Sequence, residues 1–199
     1  MSETNFLTQI HGNNFPRTAF FGSFLSILLV VWVIKQERKK IWYSLTQEKW
    51  KIFRQAFIFL FFLAIIHFIL KSIFPYKSEC IKRGIAIFKN GPWFWLFFGG
   101  CILAPLAEEC IFRYFIFQIF GKKNLFPYLL SFSTFIFYHY WWTGENMAVL
   151  FLQYCVASFG LIYIYKKSNW NLLSPILLHS LINLLFVGML FINPDCRLI

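Results

Sequence analysis

Long apolar runs alternate with short polar or basic segments along most of the chain. The first run, residues 18–34 (TAFFGSFLSILLVVWVI), follows Arg17 and precedes KQERKK. A cleaved signal peptide has the reverse order, with its positive charges ahead of the apolar core. The run therefore reads as a retained helix whose C-terminal end faces the cytoplasm. Residues 35–54 are basic, contain Trp42 and Trp50, and read as an amphipathic connector lying along the interface. A second run covers 55–74 and a polar loop follows over 75–91. Pro92 opens a third segment that runs to about Phe120. That is long for one crossing, which takes ~20 residues, and Gly99, Gly100 and Pro105 are candidate kink points. GKKN at 121–124 closes it. The fourth run covers 127–142, TGEN at 143–146 makes a turn, and the fifth covers 147–165, closed by Lys166 and Lys167. The sixth opens at Pro175 and ends near Ile192.

This pattern predicts an all-α, polytopic transmembrane helical bundle of about six membrane spans, because lipid admits only structures that satisfy every backbone polar group internally. Residues 1–90 read as an N-terminal tail, two membrane helices and basic connector loops. Residues 91–199 read as a helical core carrying the polar groups.

Composition agrees with the pattern. Of 199 residues, 59% are hydrophobic and 14% charged, against ~25% charged in a typical soluble domain. The aromatic load of 28 Phe, 9 Tyr and 8 Trp suits lipid contact and interfacial anchoring. The net charge is +11, and seven Lys and Arg fall in 35–54, with two more in each of the turns at 121–124 and 166–167. This bias predicts a multi-pass protein of the cell membrane with its N-terminus outside. The positive charge matches anionic lipid headgroups, so the expected partner is the bilayer and not nucleic acid. Five cysteines form no C-x-x-C pair and suggest neither a disulfide framework nor a zinc knuckle. No internal repeat and no paired, Gly/Pro-interrupted helices of an inverted-repeat transporter are visible.

Against this apolar background the ionisable residues are informative, since each costs about 2.5–3.5 kcal/mol on insertion scales. The third span carries Glu108, Glu109 and Arg113, the fourth His139, the sixth His179, and the second His67. Glu109 and Arg113 are four apart, share a helix face and can pair. A buried ion pair that fixes packing accounts for both of them. It leaves Glu108, turned about 100° away, without a basic partner. His139 alone, beside Tyr138 and Tyr140, reads as structural, with Phe135 one turn before it on the same face. His179 and Asn183 share a face and alone could simply glue helices together. His67 stands alone and reads as structural. Taken together, a carboxylate, two imidazoles and a carboxamide on three helices fit a hydrolytic centre, which needs a base for water and donors for an oxyanion.

Glu108-Glu109-Cys-Ile-Phe-Arg113 resembles the E-E-x-x-x-R motif of the CAAX-protease and bacteriocin-processing (CPBP, or Abi) family. Phe135-Ile-Phe-Tyr-His139 resembles its F-x-x-x-H motif, and His179-Ser-Leu-Ile-Asn183 its H-x-x-x-N/D motif. The resemblance covers roughly residues 90–195, and makes 91–199 a CPBP-like catalytic core. It implies an α-helical intramembrane endopeptidase acting on a membrane-associated protein or peptide. Glu108 and His139 would activate the attacking water, Glu109 and Arg113 would brace the site with Phe135, and His179 and Asn183 would form the oxyanion hole. The favoured mechanism is glutamic, with no cofactor and no metal. A metal-dependent version is the alternative, because Glu108, His139 and His179 could supply three ligands although no H-E-x-x-H occurs. Two further readings compete: a non-catalytic membrane protein of the same fold, such as a bacteriocin immunity factor or scaffold, and a small ion-coupled carrier.

Overall fold

The structure is a computed structural model that describes residues 15–73, 97–143 and 148–192. The 75–91 loop, the start of the third segment at Pro92, most of the TGEN turn and the C-terminal tail lie outside the described residues. Helix α1 (Phe15–Tyr43) runs through a π-helical stretch, Ser44–Glu48, into α2 (Lys49–Ile73). A composite helix over 97–120, α3, joins π-helical Gly99–Leu103, α-helical Ala104–Glu109, π-helical Cys110–Phe115 and α-helical Ile116–Phe120. Helices α4 (Phe126–Thr143), α5 (Ala148–Lys167) and α6 (Leu173–Ile192) complete an all-α membrane bundle. The described residues contain no strand.

The expected connector over 35–54 is helix instead. It contains no Gly or Pro and is rich in Lys, Gln, Glu and Arg, which lose little side-chain freedom in a helix. The backbone stays right-handed helical at both ends of the π stretch. By length and composition, the described residues hold one helical run fit to cross a membrane, Ile27–Leu70, and one shorter apolar helix, Leu173–Gly188. Large apolar side chains face outward on several helices: Phe57, Phe61 and Phe68 on α2, Phe137 on α4 and Phe159 on α5. A soluble monomer rarely exposes so much contiguous apolar surface.

Two buried clusters hold the bundle together. In one, Val33 of α1 packs with Cys110, Tyr114 and Phe117 of α3 and with Ile162, Tyr165 and Leu172. In the other, Ala56 and Leu60 of α2 pack with Phe112, Phe135, Leu161, Ile164 and Leu178. The second cluster forms the floor under the polar groups. Gly160 lets α2 approach α5, since a Cβ there would run into the Phe59 ring. Two local devices set the ends of the helices that carry the site. Gly121, with φ 81° and ψ 179°, stops α3 in a conformation that is essentially restricted to glycine. Asn171 caps α6, its Oδ1 accepting the Leu173 N–H at 3.0 Å.

Candidate active site

Glu108 and Glu109 end a short α-helical stretch bracketed by the two π-helical ones. Such π segments recur at functional sites. The first has a cause in the sequence. The Ala104 N–H bonds to the Gly99 carbonyl, five residues back. At the same spacing the Gly100 carbonyl would need an N–H from Pro105, which has none. Asn183 of α6 fills the gap: its Nδ2 donates to Gly100 O at 2.8 Å. The proline thus creates an orphan acceptor, and the sixth helix satisfies it and pins itself to the third. We expect Asn183→Leu to destabilise the bundle by about 0.5–1.5 kcal/mol, the net contribution of the hydrogen bond it removes from a part-buried acceptor. Equilibrium unfolding in micelles checks this, and an unchanged midpoint would contradict it.

Glu109 is fully buried and held from two sides. Its Oε1 is 2.8 Å from His179 Nδ1, and its Oε2 is 3.2 Å from Arg113 Nε. The Arg113 guanidinium is also fully buried and lies over the Phe135 ring, 4.3 Å from its centre. That ring also meets the imidazoles of His139, at 4.2 Å, and His179, at 5.7 Å between centres, and packs edge to face with Phe112 at 5.7 Å. Arg113 therefore reaches both histidines, one through a carboxylate and the other through an aromatic ring.

Hydrogen-bond partners fix the histidine tautomers. His139 Nδ1 is 2.9 Å from the carbonyl of Phe135, one turn back in α4. A carbonyl only accepts, so Nδ1 carries the hydrogen. His179 Nδ1 faces the Arg-paired Glu109 carboxylate, which also accepts, so there too the hydrogen is on Nδ1. In the neutral rings both Nε2 atoms are then bare lone pairs. Both point at Glu108: its Oε2 is 3.3 Å from His139 Nε2 and 3.7 Å from His179 Nε2. That Oε2 is buried and receives no hydrogen bond from the described residues. Three acceptors thus face one another with no donor among them. The smallest species that satisfies them are a proton, a water giving both its hydrogens, or a divalent cation.

Six of the seven residues singled out in the sequence meet in this one region. Glu108, His139 and His179 offer ligand atoms within 4.8 Å of one another. Glu109, Arg113 and Phe135 lie directly beneath them. Asn183 sits at the neighbouring Gly100 carbonyl, where its amide has one N–H engaged and a second to give. His67 stands apart, its Nδ1 2.8 Å from Gln153 Nε2 across the α2–α5 contact. Tyr154, whose ring centre is 5.1 Å from that of His139, was not anticipated. The available signal was the polar pair Gln153-Tyr154 inside the fifth apolar run.

Residues 90–185 match the family model described as Rce1-like, type II CAAX prenyl endopeptidase. The match supports the CPBP family of CAAX proteases for this part of the chain. Its three motifs are carried by the helices that surround Glu108. UPF0177 protein YxdF of Lactococcus lactis subsp. lactis (strain IL1403) is 34% identical over 83 residues, 42% of this chain and 43% of that protein. The chain therefore spans less than half the length of this curated relative. No solved structure gives a significant match. The family match and the apolar helices together make the chain a membrane protein.

Proposed function

We propose that this chain is an intramembrane endopeptidase that hydrolyses a peptide bond of a membrane-associated protein or peptide, using a water held by Glu108 and His139. The observation that carries the reading is the buried Glu108 oxygen, which lacks a donor and faces two imidazole lone pairs. A water placed among these acceptors gives both hydrogens to them, so its own lone pairs are left for a substrate carbonyl. In the proposed reaction Glu108 takes one proton of the water while His139 Nε2 accepts the other hydrogen bond and orients the oxygen. The oxygen attacks the carbonyl carbon to give a tetrahedral oxyanion. The C–N bond then breaks as Glu108 passes its proton to the departing amine nitrogen. A donor for the oxyanion is the second amide N–H of Asn183, and His179 joins it when its ring takes a second proton from solvent on Nε2. Neutral His179 has already given its one hydrogen to Glu109.

A metal-assisted version is favoured by one observation, the donor set itself. Glu108, His139 and His179 fit a divalent ion, and both imidazoles carry the outer acceptors on Nδ1 that metal-bound histidines usually have. Bound there, such an ion would supply Lewis-acid activation of the water. In either version Glu109 and the Phe135 carbonyl orient the rings.

We read the chain as a multi-pass protein of the cell membrane, residues 91–199 forming the catalytic core. The test is cleavage of lipid-anchored and membrane-spanning peptides by the purified protein in liposomes made up in ¹⁸O-water. We expect new C-termini that carry one ¹⁸O, with and without prior chelator treatment. Loss of cleavage on chelation, restored by zinc, would favour the metal version. Absence of any new C-terminus across the peptide set would overturn the proposal.

A further inference from the structure

The three basic stretches that the sequence separates by whole helices meet at one end of the bundle. Lys122, in the turn after α3, holds its Nζ 5.1 Å from the centre of the Trp170 ring. Lys166, at the end of α5, holds its Nζ 5.4 Å from the centre of Tyr128. The two rings are 6.2 Å apart, edge to face. Lys40 of α1 donates to the Trp170 carbonyl at 3.2 Å.

This corner is built rather than incidental. Asn169 and Trp170 both have left-handed backbones, φ 56° and 61°, which a bulky aromatic adopts only where its surroundings enforce it. The enforcing contacts are present. The Trp170 N–H bonds to Tyr165 O at 2.9 Å. The Asn171 amide donates to Ser44 Oγ and to Lys40 O. The Tyr128 hydroxyl donates to Lys122 O at 3.2 Å, which fixes the turn that carries the lysine.

The charge is not balanced in the same way. Lys40 has Glu37 at 3.4 Å. Among the described residues, no carboxylate pairs with Lys122 or Lys166. Burial first, and then the charge of Lys40, hold the Lys122 amine below the ordinary lysine range, with Glu37 acting the other way. Two cations thus stand over aromatic faces, one of them half-buried, in want of an anion.

We propose that Lys122, Lys166, Trp170 and Tyr128 form a binding site for the phosphate of an anionic phospholipid headgroup. Charge complementarity names the chemistry, and the setting names the source. Trp and Tyr concentrate at the headgroup level of membrane proteins, and basic clusters beside them attract anionic lipid. The site is separate from the carboxylate–histidine cluster: Lys122 lies fourteen residues beyond Glu108 along α3, about 20 Å by helix rise. It therefore stands independently of the hydrolytic reading.

The test is native mass spectrometry of the full chain from mixed phosphatidylglycerol and phosphatidylcholine micelles. The wild-type protein should keep a phosphatidylglycerol adduct in preference to phosphatidylcholine. The pair K122Q/K166Q should weaken that adduct about 10–30-fold, as expected for two headgroup lysines. The pair K122R/K166R should keep it, and so should K49Q/K51Q, which removes the same charge elsewhere. Melting temperatures in zwitterionic micelles check that all variants fold. Equal phosphatidylglycerol binding by K122Q/K166Q and K49Q/K51Q would overturn the proposal. So would displacement of the lipid by millimolar inorganic phosphate, which would make the site one for soluble anions.

Discussion

Glu108→Gln should abolish peptide cleavage, lowering kcat/KM by about 10²–10⁴-fold, the usual contribution of a positioned general base, while the protein inserts and folds as before. The substitution keeps the volume of the side chain and removes its charge and its ability to take a proton. It also turns an acceptor into a donor. The new amide would face the Nε2 lone pairs that Glu108 Oε2 now faces at 3.3 and 3.7 Å. Hydrogen bonds would replace acceptor–acceptor contacts, so stability should hold or rise slightly. Loss of activity without loss of stability separates a catalytic carboxylate from a structural one. His139→Ala should cost a similar factor, and the double variant little more, because groups acting on one water are non-additive. The paired readout is peptide cleavage and the unfolding midpoint of the same preparations. A Glu108→Gln protein that still cleaves would show that Glu108 is not the base that activates the water.

Removing the cation under the site should have the largest effect on stability. Arg113→Met leaves Glu109 fully buried without its partner, which typically costs about 3–5 kcal/mol. Loss of the guanidinium from the face of Phe135 adds about 0.5–2 kcal/mol. The double variant Glu109→Gln/Arg113→Met removes both buried charges and should regain most of that stability, since an uncharged pair of similar volume has no desolvation to offset. Activity should not return with it. His179 would then donate to a neutral amide rather than an anion, and Phe135 would lose the cation that backs the ring against His139. Recovery of the midpoint without recovery of cleavage is the expected pattern. Equal recovery of both would show that Arg113 serves packing alone.

Much of the site was legible in the sequence because lipid makes ionisable groups conspicuous. Glu108, His139 and His179 stand out of apolar runs, and three helices bring them together as their spacing suggested. The Glu109–Arg113 contact follows from a separation of four residues. What the sequence hid is backbone register. Gly99, Gly100 and Pro105 were read as a possible kink, and they instead mark a π-helical stretch whose orphaned Gly100 carbonyl captures Asn183. The direction of the Asn183 amide depends on that local defect, which no side-chain periodicity encodes. The tautomers were hidden too, since they depend on which acceptor each Nδ1 meets in space. The connector over 35–54 was misread for another reason. Its basic, Trp-bearing composition suggests an interfacial segment, yet nothing in it stops a helix, and the backbone continues through Ser44–Glu48 into α2.

The most direct measurement is nitrogen NMR of the protein labelled at histidine, with His139 and His179 assigned by single substitution. It reads which ring nitrogen carries hydrogen. The arrangement described here predicts hydrogen on Nδ1 of both rings at neutral pH, with both Nε2 atoms open toward Glu108. Hydrogen fixed on Nε2, with Nδ1 bare in either ring, would mean that the imidazoles donate to Glu108 and cannot receive a water's hydrogen, and the proposed centre would not exist.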